Sequence, residues 1–93
     1  MKYEVLYIVA AGQEESFYAE TAEKYSQLVT DLGGTVENVD KWGIKKLAYA
    51  INHKTEGYYV VMTYTADGTV PAEMERQMRL NDKIIRFLTT TRK

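Results

Sequence analysis

The side chains whose type and spacing best suit chemistry in this sequence are its cations. Residues 41–54 hold Lys41, Lys45, Lys46 and Lys54 with no acid. Residues 76–93 hold Arg76, Arg79, Lys83, Arg86, Arg92 and Lys93 against the single acid Asp82. Residues 4–40 carry eight acids and one base, Lys24. A formal net charge of −1 therefore conceals blocks of −7, +4 and +5 along the chain. Clustered Lys and Arg are the chemistry that holds phosphate oxygens, so a near-neutral chain can still offer a basic face to a polyanion. Catalytic groupings are missing. There is no Cys, which removes disulfides, thiolate nucleophiles and Cys-ligated metals. His53 is the only histidine, and one imidazole in a turn-forming stretch is read as solvated rather than as a metal site. Ser16 has no nearby base in the pattern, and Glu14-Glu15 suit the start of a helix. Neither an enzyme nor a cofactor is expected.

The elements that must position these cations follow from periodicity. The chain has 93 residues and 45% hydrophobic content, enough for one small domain spanning 1–93. No apolar run approaches a membrane span and no leader pattern opens the chain, so a cytoplasmic protein without membrane contact is expected. Tyr3 to Val9 is β-branched and aromatic, a strand signal. From Gln13 to Leu32 the apolar residues Tyr18, Ala22, Tyr25, Val29 and Leu32 recur at helical steps, and Gly33-Gly34 closes the run. Thr35 to Trp42 reads as a second strand broken by Gly43, with Ile44 to Ile51 resuming extended chain. Residues 52–57 read as a turn, and Tyr58 to Thr65 as a third strand. Thr69 is the expected cap of a second helix with Pro71 in its first turn. Asn81-Asp82 ends that helix before a last strand over Ile84 to Thr91.

The order β-α-β-β-α-β with right-handed crossovers gives an α+β, ferredoxin-like split β-α-β fold: a four-stranded antiparallel sheet with two helices on one face. Parity divides the sheet. Tyr58, Val60, Met62 and Tyr64 face the helices, as do Val5, Tyr7, Val9 and Phe87. Leu6, Ile8, Tyr59, Val61 and Leu88 are left on the open face, where so much bare apolar surface calls for a partner. Base stacking in the manner of an RNA-recognition motif is disfavoured. Of its third-strand signature, Glu56-Gly57-Tyr58-Tyr59-Val60-Val61 keeps the glycine, one aromatic and the valine, and parity turns Tyr58 inward.

A resemblance now adds to this reading. Trp42-Gly43-Ile44-Lys45-Lys46-Leu47-Ala48-Tyr49-Ala50-Ile51 resembles the hallmark of the bacterial small-subunit ribosomal protein six family, with Ala50 where the hallmark has proline. Tyr3-Glu4-Val5 and Asn81-Asp82-Lys83-Ile84-Ile85-Arg86 look like that family's at matching distances, so the resemblance covers essentially the whole chain. It implies the same fold and a non-catalytic, structural role in the ribosome of the cytoplasm. The implied partners are the central domain of small-subunit ribosomal RNA and the eighteenth small-subunit ribosomal protein, with no DNA and no membrane. Carried over by position, RNA contacts fall on Lys2, Tyr3, Arg86, Arg92 and Lys93, and more loosely on Arg79, Asn81 and Lys83. Protein-partner contacts fall on Trp42, Lys45, Lys46, Leu47 and Tyr49. Many relatives carry a charged tail, and this sequence ends at Lys93. From the residues alone, a homodimeric small-molecule-sensing module of the same fold stays open as an alternative, although it leaves the two basic blocks without a role.

Overall fold

The structure, a computed structural model, describes residues 1–51 and 54–92. Its elements run β1 (Lys2–Ala10), α1 (Glu15–Asp31), β2 (Thr35–Ile51), β3 (Lys54–Thr65), α2 (Val70–Leu80) and β4 (Ile84–Arg92). The sheet order is β2-β3-β1-β4 with every neighbouring pair antiparallel, the split β-α-β arrangement that the element order implies. Both helices bury their apolar stripes on one face. Tyr18, Tyr25 and Val29 of α1 and Val70, Met74 and Met78 of α2 join Val5, Tyr7, Val9, Tyr58, Val60, Met62 and Tyr64 in one core. The parity assignment therefore holds residue by residue.

Aromatic pairs knit that core. Tyr18 stacks on Tyr58 at 4.2 Å between centroids, Tyr7 meets Tyr25 edge-on at 5.3 Å, and Tyr3 lies against Tyr64 at 5.6 Å. Geometries of this kind add about 0.5–1.5 kcal/mol each beyond area burial. Their hydroxyls fare differently. The Tyr25 hydroxyl accepts from Asn81 Nδ2 at 2.9 Å, whereas those of Tyr7 and Tyr64 have no partner among the described residues. Burial pushes the Tyr7 phenol up strongly and that of Tyr64 to about 12. One substitution should thus have opposite signs at two sites. Tyr7→Phe removes a buried unpaired hydroxyl and is expected to leave the melting midpoint unchanged or raise it, by up to ~1 kcal/mol in stability. Tyr25→Phe removes a made bond and is expected to cost about 1 kcal/mol. Thermal melts of the two variants side by side check both signs.

Several local expectations are corrected. Helix α1 ends as the glycine pair suggests: Gly33, at φ +90°, donates to Thr30 O at 3.0 Å and Gly34 to Val29 O at 2.9 Å, a Schellman closure. Thr69 does not cap α2. Its own backbone is helical and its side chain makes no capping bond, and Asp67 Oδ1 instead accepts from the Thr69 N–H at 2.9 Å and from its hydroxyl. Gly43 does not break β2. It lies at φ +84° in a bulge, where the register shifts between Lys41 and Gly43, and pairing resumes beyond it. Lys54 to Gly57 is strand rather than turn, because β3 starts at Lys54 and pairs back to Ile51, Lys46 and Lys45. The hairpin of β2 and β3 thus runs past the end of β1 at Ala10, whose partner is Gly57. His53, expected as a solvated turn residue, and Lys93, expected as an RNA contact, lie outside the described residues.

Gly57 also explains one open-face residue. Ile8 is on the open face but only 6% exposed. A Cβ on Gly57 would stand well inside contact distance of Ile8 Cγ2, and 3.7 Å from Ile85 Cδ1. The missing side chain is the space Ile8 fills.

Candidate nucleic-acid interface

Antiparallel pairing brings the two strands that carry candidate cations side by side. Lys2 and Arg92 are cross-strand partners in β1 and β4. Both are exposed, and each already has a counter-charge: Lys2 Nζ lies 2.9 Å from Glu37 Oε1, and Arg92 Nη1 donates to Glu4 Oε2 at 2.8 Å. Glu37 also accepts from the Thr65 hydroxyl, and this bond, then Lys2, holds its carboxyl below the usual range. Ion pairs this exposed are weak, so a phosphate can exchange for either carboxylate.

Arg86 sits on the same face of β4, about 20 Å along the strand from Arg92 by the rise of extended chain. Among the described residues no carboxylate pairs with it. Its Nη1 donates to the Tyr49 hydroxyl at 2.7 Å, and its guanidinium carbon is 5.6 Å from the Tyr49 ring centroid. Tyr49 is in β2 and Arg86 in β4, the two opposite edges of the sheet. Only the projecting hairpin lets them meet. A residue expected at the protein partner and a residue expected at RNA are thereby joined. Nothing in a separation of 37 positions signals that contact in sequence.

The remaining candidates divide. Tyr3 departs from the exposed set, because it is 7% exposed and packed on Tyr64. Asn81 has both ends of its amide engaged, Nδ2 on Tyr25 and Oδ1 accepting from the Lys83 N–H at 3.0 Å. It shapes the turn from α2 into β4. Lys83 and Arg79 flank that turn, exposed, with the Arg79 guanidinium 5.6 Å from the Phe87 ring centroid.

Along β2 the bulge changes which residues reach the open face. Asp40 opposes Val61 before it, and Lys45 opposes Gly57 after it. Trp42, 48% exposed, stands between them with its ring parallel to Tyr59 at 6.3 Å and its Nε1 donating to Asp40 Oδ2 at 3.2 Å. It forms one wall of a groove floored by Leu6, Val61 and Leu88. Lys45 and Lys46 are exposed and Leu47 is half-buried. The expected open apolar face is therefore present, with Leu88 its most exposed residue and Ile8 its least. The counter-charges Glu4 and Glu37 carry no signal in the sequence, and only the three-dimensional pairing exposes them. Among the described residues no three His, Cys, Asp or Glu side chains gather as a metal site, and no helix is long and apolar enough to cross a membrane.

Comparison with known proteins gives consistent results. The family model described as ribosomal protein S6 matches residues 2–91. Small ribosomal subunit protein bS6 of Clostridium botulinum (strain 657 / Type Ba4) is 41% identical over 90 residues, covering 97% of this chain and 96% of that protein. The protein of the same description from Desulfitobacterium hafniense is 40% identical over 88 residues, covering 95% of this chain and 93% of its own. The crystal structure of 30S ribosomal protein S6 from Thermotoga maritima superposes with a TM-score of 0.93 at 29% identity, over 98% of this chain and 86% of that one.

Proposed function

The chain belongs to the ribosomal protein S6 family of the small ribosomal subunit, and from that premise we propose that it is a non-catalytic structural protein of that subunit in the cytoplasm. It binds the central domain of small-subunit ribosomal RNA cooperatively with the eighteenth small-subunit protein. The observation that carries the RNA reading is the alignment of Lys2, Arg86 and Arg92 on one face of the adjoining strands β1 and β4. Such cations contact phosphates and fix orientation without reading sequence. Lys83 and Arg79 extend the basic line around the turn. Tyr3 contributes from beneath, by holding β1 against the core. The protein partner is placed along β2, at Trp42, Lys45, Lys46 and Leu47, where an edge strand and the groove beside Trp42 offer backbone pairing and apolar contact together.

Binding of the chain to a central-domain RNA fragment, alone and with the partner, across a salt series, tests this. Weak binding alone and binding at least about tenfold tighter with the partner is expected, since a coupling of that size is ordinary between two ligands of one assembly. The affinity should fall steeply with salt. Indifference to RNA in every mixture would sink the reading. A concentration-dependent homodimer in that case would favour the small-molecule-sensing alternative, with Leu88 and Val61 buried between two copies.

A further inference from the structure

We propose that Tyr49 is an RNA contact: together with Arg86 it forms a two-part site for one unpaired nucleotide, base on the ring and phosphate on the guanidinium. This rests on the RNA reading above. Tyr49 is 60% exposed, more than any other aromatic side chain among the exposed large apolar residues. A bare phenol at the end of a projecting hairpin contributes nothing to the core. Arg86 holds it through one Nη1–H, leaving four of the five guanidinium N–H donors for an incoming phosphate. The pair also fixes the distance and angle between a flat apolar surface and a cation, the two things a nucleotide presents a need for. The surrounding charge has the right sign. The projecting part of the hairpin, residues 45–57, carries Lys45, Lys46 and Lys54 against the single acid Glu56, the cross-strand partner of Lys46, and no carboxylate among the described residues pairs with Arg86. A protein carboxylate could use Arg86 but would have no use for the ring. Bases inside an A-form duplex are stacked away from such a ring, so the ligand is a looped-out or junction nucleotide.

The experiment uses the full chain with its partner protein and the RNA fragment. Partner affinity is measured first without RNA, then RNA affinity of the protein pair across salt. Tyr49→Ala is expected to weaken RNA binding about tenfold, the scale of one lost base–aromatic stack. The slope of affinity on salt should stay the same, because stacking releases no counterion. Partner affinity should stay within about twofold. Tyr49→Phe, which keeps the ring and loses the hydroxyl, should lose less than about threefold in RNA affinity, and its fold is undisturbed at so exposed a position. The inference is overturned if Tyr49→Ala leaves RNA affinity unchanged while the wild type binds. It is equally overturned if the variant weakens partner binding instead, which would make Tyr49 a protein contact, or if Tyr49→Phe is as damaging as Tyr49→Ala, which would make it a tether for Arg86. Failure of the wild type to bind RNA in any mixture is a separate result, and overturns the functional reading first.

Discussion

A Gly57→Val chain is expected to melt about 10–20 °C below the wild type, on a cost of about 2.5 kcal/mol and 4–8 °C per kcal/mol for a domain of this size. The cost comes from space, not from backbone strain, since Gly57 is not in the left-handed region. It pairs with Ala10 on one side and Lys45 on the other, in the interior of the sheet. A Cβ there collides with Ile8 Cγ2. Ile8 is β-branched and buried, so its methyl cannot swing aside without leaving its preferred rotamer. The specific check is the double variant Gly57→Val with Ile8→Ala. If crowding against Ile8 is the cause, the double variant is more stable than the sum of the two single losses, because each removes the other's clash or cavity. Additive losses in a thermal or urea melt would show that the explanation is wrong.

Charge reversals on the basic line should not be equal. Arg86→Glu is expected to reduce the RNA affinity of the protein pair by about 10–100-fold at 0.1 M salt, and to lower the salt slope by roughly 0.7–0.9, the share of one phosphate contact. Lys2→Glu is expected to cost less. Lys2 must first leave Glu37, and that exchange offsets part of its gain on binding phosphate. Glu37→Gln should then act in the opposite direction, raising RNA affinity a few-fold by freeing Lys2. Equal losses for Arg86→Glu and Lys2→Glu, with Glu37→Gln neutral, would mean that the exposed pairs have no bearing on binding. Filter binding over a salt series reads all three variants.

The fold was legible where burial imposes a period. Alternation in residues 58–64 assigned both faces of the sheet, and the four-residue step of Val70, Met74 and Met78 assigned the buried face of α2. Legibility failed where water rather than packing surrounds the chain. Lys54 to Glu56 are exposed strand residues with polar side chains, and nothing in their composition separates a projecting hairpin from a turn. Gly43 gave the same signal a strand end gives, because positive φ serves a bulge as well as a terminus. The basic blocks were visible as charge counts. Which of those cations were already paired was not, since Lys2–Glu37 and Arg92–Glu4 join residues that only strand pairing brings together. The Tyr49–Arg86 contact depends on the length of the hairpin, and the polar composition around Lys54 does not mark where that hairpin ends.

The central position of β1 has a consequence in time. Its two neighbours are residues 57–65 and 84–92, so the most continuously apolar strand in the chain is translated long before either. At 5–20 residues per second, roughly 4–16 s separate the synthesis of Ala10 from that of Arg92. Throughout that interval β1 has at least one open edge, and for about the first two-thirds of it, until Thr65 is made, it has two. A nascent chain that stalls between α2 and β4 therefore presents an unpaired hydrophobic strand to its neighbours on the polysome. The last nine-residue strand closes that window of vulnerability, and premature stops just before Ile84 should yield aggregates or chaperone-bound chains in place of a shortened native protein.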